Sequence, residues 1–405
     1  MRTSIPWPGR GPATVLAVLG ALLVSSASAP VHADSIRSQQ WHLDAMKADE
    51  IWKISTGEGV TVAVIDSGVD ATNPDLQGRV LKGKDFAPDS AGDEHTDYRG
   101  HGTGMAGLIA GTGRSGAGDG AYGLAPGSKI LPVRTPDSGQ DANRESEVRA
   151  FNESVPVAIR YATDKGAAII NISMASRKGS PALTSAVKYA LDKGALVFAA
   201  AGNTGDAGNE LEFPVGTPGV VGVGALDKEG KKTKESQYGP QVDISAPGEE
   251  MVHACGGTTG LCTSHGTSDA TAIASASAAL IWSKHPDWTN NQVLRVMLNT
   301  VSGPTDGVKR NDYVGYGAVR PLRALTTPGD PGPADEYPLP DLAEAEASAS
   351  SSAAAGDNDA QAAPSTTAAE ADEGGGAGLW IGLGVGAAVV LGAAVAVPVI
   401  RSRRG

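Results

Sequence analysis

Between residues 60 and 226 the chain repeats a short, almost uninterrupted apolar run with helical patterns in between, and no other feature narrows the fold as much. The runs are VTVAVID (60–66), KILPVRT (129–135), AAIINIS (167–173), ALVFAAAGN (195–203) and GVVGVGAL (219–226). A strand buried on one face alternates apolar with polar residues; these runs do not, so both faces of their sheet must be covered. Segments 147–165 and 180–193 read as helices between them. Strand and helix in alternation, with the strands buried, predict an α/β fold class with a mostly parallel sheet and helices on both faces. In such sheets chemistry gathers at the carboxyl ends of the strands.

The two ends of the chain read differently. Residues 1–33 carry Arg2 and Arg10, an apolar run over 13–24 and small residues up to Ala33, the order of a secretory signal peptide. An uncharged apolar stretch over 378–400 would reach about 35 Å as a helix, enough for a bilayer core of roughly 30 Å. Arg401, Arg403 and Arg404 follow it, so 378–400 is predicted to be one transmembrane helix and 401–405 a cytoplasmic basic tail. Residues 327–377 hold Pro, Ala, Ser, Gly and acids, with no Lys or Arg and Tyr337 as the lone aromatic, which predicts a disordered linker. As a flexible coil it would reach roughly 40 Å. The folded domain is then 34–326, and the expected location is the cell membrane, single-pass, with that domain outside and the lipid bilayer as a partner through the C-terminal helix.

Composition removes other classes. The chain has 33 Lys+Arg against 45 Asp+Glu, a formal net charge of −12, which argues against a nucleic-acid partner, since that affinity needs clustered cations. Its 2 cysteines exclude a disulfide-built fold and a multi-cysteine zinc site. In a secreted domain Cys255 and Cys262 are expected to pair.

Four polar residues stand where the apolar pattern breaks. Asp66 ends VAVIDSGVD; alone it would do no more than cap a turn. His101 lies among glycines in DYRGHGTGMAG, at the start of a small-residue helix. Asn203 ends AAAGN with a side-chain amide donor. Ser268, in HGTSDATAIASASAALIW, opens a long apolar helix, and a helix start offers unpaired N–H groups and a positive dipole end to a developing oxyanion.

In that order, with the words VAVIDSGVD, GHGTGMAG, AAGN and GTSxA, these residues resemble the motifs of subtilisin-like serine peptidases over roughly residues 41–325. The resemblance implies a subtilisin-like fold and a catalytic set of Ser268 as nucleophile, His101 as general base, Asp66 to orient the imidazole, and Asn203 as oxyanion donor. It implies a polypeptide substrate held by Ser173, Met174 and Ala175 on one side of a cleft and Ala200, Ala201 and Gly202 on the other. The end architecture and the opening QQWHLDAMKADEIWKISTGEGV are similar to the membrane-anchored mycosins of type VII secretion, which implies a type VII secretion membrane complex as a partner. The competing reading is a scaffold component of such a complex with little or no proteolytic role.

Several features lie outside this scheme. Asp269 stands after the serine where the family usually has an apolar or aromatic residue, and Ala272 where it has a proline. His265 makes a second His-Gly-Thr word and is expected at the surface or rim. Gly111–Gly116 fits GxGxxG but follows a helix, so no nucleotide is expected. Asp75 matches a calcium-binding position of some relatives without a recognisable partner loop, and His95 beside Asp93 and Glu94 reads as an exposed acidic loop. No metal and no cofactor are expected.

Overall fold

The computed structural model describes residues 35–136, 143–256 and 260–348, together with residues 3 and 4. Its centre is a seven-stranded sheet of β1 (Thr61–Asp66), β2 (Lys84–Asp85), β3 (Lys129–Arg134), β4 (Ile169–Ile172), β5 (Leu196–Ala200), β6 (Val221–Leu226) and β7 (Ile244–Pro247), in the order β2-β3-β1-β4-β5-β6-β7. Every pairing within it is parallel. β1 lies between β3 and β4, with Val62 opposite Ile130 on one side and Ile169 on the other.

The pleat explains the unbroken apolar runs. Val62 and Val64 point to one face of the sheet, where they join a core with Ile273, Ala274 and Leu280 of the Thr267–Lys284 helix. Ala63 and Ile65 point to the other, among Phe151, Val155 and Ile159 of the Arg144–Asp164 helix and Leu183 and Val187 of the Pro181–Asp192 helix. Both faces are dry, so every position of the strand between Thr61 and Asp66 is apolar.

The Thr267–Lys284 helix is buried without a break from Thr267 to Ile281, which only small side chains permit against a sheet on one flank and helices on the other. Its hydroxyls stay satisfied: Ser275 donates to Asn171 Oδ1 at 3.0 Å, and Thr271 and Ser277 donate to carbonyls four residues back. Ala272 sits inside this unbroken helix. A two-stranded antiparallel ribbon, β8 (Met251–Ala254) and β9 (Leu261–Ser264), precedes it, with Cys255 bonded to Cys262 at its tip.

Packing continues past residue 326, where composition placed the start of a linker. Leu339 is buried, Tyr337 donates to the Gly219 carbonyl at 2.7 Å, and Asp341 accepts from the Gly219 N–H at 2.7 Å. Two apolar anchors are diluted in a stretch whose average is polar. The remainder of the linker, from 349, lies outside the described residues, as do the basic tail and, apart from residues 3 and 4, the signal segment.

The transmembrane helix, the membrane-anchored function, the bilayer partner and the single-pass cell-membrane location are corrected. No helix among the described residues is long and apolar enough to cross a membrane. The longest, Arg144–Asp164, is studded with charge, and the all-buried Thr267–Lys284 helix spends its apolar surface on the sheet. The 378–400 stretch that carried these expectations lies outside the described residues.

Candidate active site

Three neighbouring strands end at one place. β1 stops at Asp66, β4 runs out into Ser173, and β5 runs out through Ala200–Gly202 into Asn203. The β4–β5 ladder closes at Ile172 opposite Ala199, so Ser173–Ala175 and Ala200–Gly202 are the two segments leaving it side by side. Two helices begin above these ends, one at His101 and one at Thr267.

Asp66 is buried, and its Oδ1 accepts from the Ser67 N–H and from His101 Nδ1, both at 2.8 Å. A carboxylate can only accept here, so Nδ1 carries the hydrogen and Nε2 is left as the basic atom of a neutral ring. The Asp66 charge raises the imidazole from its ordinary 6.5 to about 9, against the opposite pull of desolvation, with smaller contributions from Asp97 and from Asp269 when ionised. The His101 side chain remains 38% exposed, so its free edge faces the cleft rather than the core.

That approach depends on Gly102. A Cβ there would lie 2.1 Å from the Gly68 carbonyl oxygen and 3.0 Å from Asp66 Cβ, so only glycine lets the helix start sit on the strand end. Asp97, which sequence reasoning missed, secures the same turn. Its oxygens accept from the Gly100 N–H, the Thr103 N–H and the Thr103 hydroxyl, at 2.9, 2.8 and 2.6 Å. The signal was present as an acid just ahead of the glycine-flanked histidine, where it meets the open N–H groups of a helix start.

Ser268 occupies the first turn of its helix and is 9% exposed. In this rotamer its hydroxyl donates to the Ser173 carbonyl at 3.2 Å, while the Ser173 hydroxyl donates to the Ser268 carbonyl at 3.3 Å. Asn203 Oδ1 accepts from the Thr267 N–H at 2.9 Å and the Thr267 hydroxyl at 3.0 Å. Because a backbone N–H must donate, this fixes the amide's orientation and leaves Nδ2 as a donor on the exposed side chain. Gly202, at φ +110, leads into Asn203; a Cβ on it would strike the Gln237 amide at 2.4 Å and the Glu212 carboxylate at 2.8 Å. Met174 is half-buried, with its sulfur accepting from the Thr135 hydroxyl, and Ala175 is exposed. Beside them opens a hollow of about 280 Å³ that Phe151, Arg177 and Glu212 also line.

A protein-family model described as the subtilase family matches residues 57–318. The chain belongs to the subtilase family. Among curated relatives, a subtilisin of Bacillus pumilus is 37% identical over 241 residues, 59% of this chain and 82% of the relative. Subtilisin NAT of Bacillus subtilis subsp. natto is 36% identical over 241 residues, so the match spans 59% of that relative's length. Among solved structures, MycP1 from Mycobacterium smegmatis superposes with a TM-score of 0.61 at 30% identity, covering 73% of this chain and 86% of that one. A chain of the periplasmic assembly from the ESX-5 inner membrane complex gives 0.64 at 29% identity, covering 76% and 89%. This subtilase is thus closely related by structure to the MycP-type mycosins of type VII secretion systems, and its catalytic domain is of the serine endopeptidase kind.

The remaining sequence candidates of the subtilase fall away from the cleft or take structural work. Asp75 spends Oδ1 on the Ser115 N–H and Oδ2 on the Ala121 N–H, tying a loop. His265 is exposed at the surface and meets Glu235 at 3.1 Å. His95 lies in its acidic loop, 3.7 Å from Glu94. Asp269 does not face solvent: it is 1% exposed and bonded to Ser264 at 2.5 Å. Among the described residues no group of three or more His, Cys, Asp or Glu could hold a metal ion.

Proposed function

We propose that this subtilase hydrolyses peptide bonds through Ser268, His101 and Asp66, with Asn203 and the Ser268 N–H as oxyanion donors. The observation that carries the reading is the 2.8 Å bond from His101 Nδ1 to a buried Asp66, made at the strand ends beneath the helix that Ser268 opens. An extended polypeptide lies between Ser173–Ala175 and Ala200–Gly202. His101 Nε2 takes the Ser268 hydroxyl proton as Oγ attacks the carbonyl carbon, and the oxyanion falls between the Asn203 amide and the helix start. The same proton goes to the leaving amine. Water then repeats the cycle on the acyl-enzyme and restores Ser268.

Turnover requires Ser268 Oγ to swing from the Ser173 carbonyl to Nε2, a side-chain rotation that substrate occupying the cleft would favour. The fit to MycP1 and to a chain of the ESX-5 assembly supports a place for this chain beside a type VII secretion complex. The deciding experiment is labelling of purified protein with a fluorophosphonate: Ser268 is labelled, and Ser268→Ala is neither labelled nor able to cleave a peptide. Hydrolysis at an undiminished rate by Ser268→Ala would overturn the assignment. If Ser268→Ala still sustains secretion when it replaces the native protein, the role in the complex is separable from proteolysis.

A further inference from the structure

The residue after the nucleophile is a buried acid whose hydrogen bonds do not balance unless a proton is added. Asp269 Oδ1 lies 2.5 Å from Ser264 Oγ, and that same oxygen lies 2.7 Å from His253 Nε2. His253 Nδ1 lies 2.8 Å from the Ala254 carbonyl, which can only accept, so Nδ1 carries a hydrogen. With a neutral ring and an ionised carboxylate, both Nε2 and Oδ1 are acceptors, and the Ser264 hydroxyl has one hydrogen for the two. One contact would then set lone pair against lone pair between Asp269 and His253, both buried, through a Ser264 hydroxyl that is half-buried. A single further proton removes the conflict.

We propose that Asp269, Ser264 and His253 form a positioning relay that holds this one proton, so that no net charge stands beside the nucleophile's helix. The proton has two resting places. On Asp269, the acid donates to Ser264 and the hydroxyl donates to Nε2; on His253, the imidazolium donates to Ser264 and the hydroxyl donates to the carboxylate. Each arrangement makes both hydrogen bonds and is neutral overall.

The surroundings select the first. His253 is 3% exposed and Asp269 is 1% exposed, and burial, as the largest influence on each, pushes the acid up and the ring down. On the Trp41–Met46 helix, His42 faces His253. It is wholly buried with both ring nitrogens unpartnered, and burial, then His253 and Arg37, lower it to about 3. No counter-charge for an imidazolium comes from that side. On the His101–Ala110 helix, a Cβ at Gly104 would lie 2.6 Å from His253 Cε1, so the ring packs directly on the backbone three residues from His101. His101 and His265 are the other titratable groups facing Asp269, and His265 already has Glu235.

The ribbon fixes the relay's geometry. His253 pairs with Cys262 across β8 and β9, and the Cys255–Cys262 bond closes the strand pair that carries both His253 and Ser264. The relay therefore spans from the ribbon to the first turn of the Ser268 helix, against the helix of His101. Kept protonated, Asp269 neither repels the oxyanion nor holds His101 in its charged form.

The test has one readout that needs no catalysis and one that rests on the proposed Ser268–His101 chemistry, so failure of either is told apart. In the whole protein, nitrogen-15 NMR of the His253 ring is expected to show the neutral Nδ1–H tautomer at pH 7, with the same signal in Asp269→Asn, whose amide donates to Ser264 in the acid's place. An Nε2–H tautomer of the neutral ring would overturn the relay, and an imidazolium would overturn the placing of its proton on Asp269. The second readout is the pH profile of kcat/KM. With Asp269 already protonated, Asp269→Asn leaves the acid limb set by His101 in place to about 0.2 unit; a downward move of about half a unit or more means that a bare carboxylate was acting on His101. His253→Phe removes the acceptor at Nε2, frees the hydroxyl for an ionised Asp269 and should move that limb upward. An unmoved limb in a folded His253→Phe protein counts against the relay, and if that variant does not fold the ring signal and Asp269→Asn still decide.

Discussion

Gly102→Ala should disable the site while sparing the fold, and the size of the loss can be worked from the structure. The new Cβ would stand 2.1 Å from the Gly68 carbonyl oxygen, where real Cβ contacts are essentially never under 3.0 Å, so something must move by about 0.9 Å. The carbonyl belongs to the chain just after β1 and Asp66 Cβ is the next contact at 3.0 Å, so the relief comes from lifting the start of the His101–Ala110 helix. A lift of that size takes the 2.8 Å bond between His101 and Asp66 beyond hydrogen-bond range. Misplacing a reacting group by about 1 Å costs on the order of 10²-fold. The assay is kcat/KM on a chromogenic peptide, normalised by active-site titration, with a thermal melt to verify folding. Because Asp66 is what holds His101 near 9, the acid limb of the pH profile should also fall toward the ordinary imidazole value. A folded Gly102→Ala protein with undiminished kcat/KM and an unmoved acid limb would refute the reasoning.

Asn203→Ala should lower kcat by about 10² to 10³ with little change in KM, the loss typical of removing one oxyanion donor, and a change confined to KM would make the amide a ground-state contact. Gly202→Ala forces a Cβ onto the Gln237 amide at φ +110 and should lower both stability and kcat/KM, read by melting and kinetics together. For pH, raising the folded His101 above its unfolded value means the Asp66–His101 pair contributes stability that is fully present below about 6.5 and is lost as pH rises through about 9. Activity needs the neutral ring and should rise across that same window, so rate and melting temperature are expected to move in opposite directions. Unreduced protein should show no free thiol after denaturation, and replacing Cys255 and Cys262 by serine should cost roughly 2 to 3 kcal/mol of stability by loop entropy.

The sheet was legible because buried parallel strands leave a strong imprint: each of the five apolar runs became a strand, and the two helical patterns matched within a few residues at each end. β2 has two residues and β7 is ISAP, too short and too broken by proline to register as a pattern. For the site, the residues that end strands or begin helices stood out, since a polar side chain there interrupts an apolar run. Asp97 did not, because its work is to bind backbone N–H groups of a turn that only the fold assembles. Asp269 was noticed as an anomaly but could not be placed. Its partners Ser264 and His253 come from a ribbon with no apolar periodicity of its own, since β9 is largely exposed. Tyr337 and Leu339 were lost to averaging over an acidic stretch, although each has a specific seat on the domain.

The order in which the chain supplies its site has a bearing on when it becomes dangerous to its neighbours. Asp66 and His101 are made early, but the β4 and β5 ends that complete the cleft come from residues 172 and 200, and Ser268 follows a further stretch that includes the closed ribbon. A partly synthesised chain therefore carries an acid–imidazole pair with nothing to deprotonate. Parallel pairing between distant segments forms slowly compared with local helices, so even the completed chain passes through a period without a cleft. On the proposed mechanism, proteolytic competence belongs to the finished sheet, and the chain gains it only once the last strand ends and the Ser268 helix are in place.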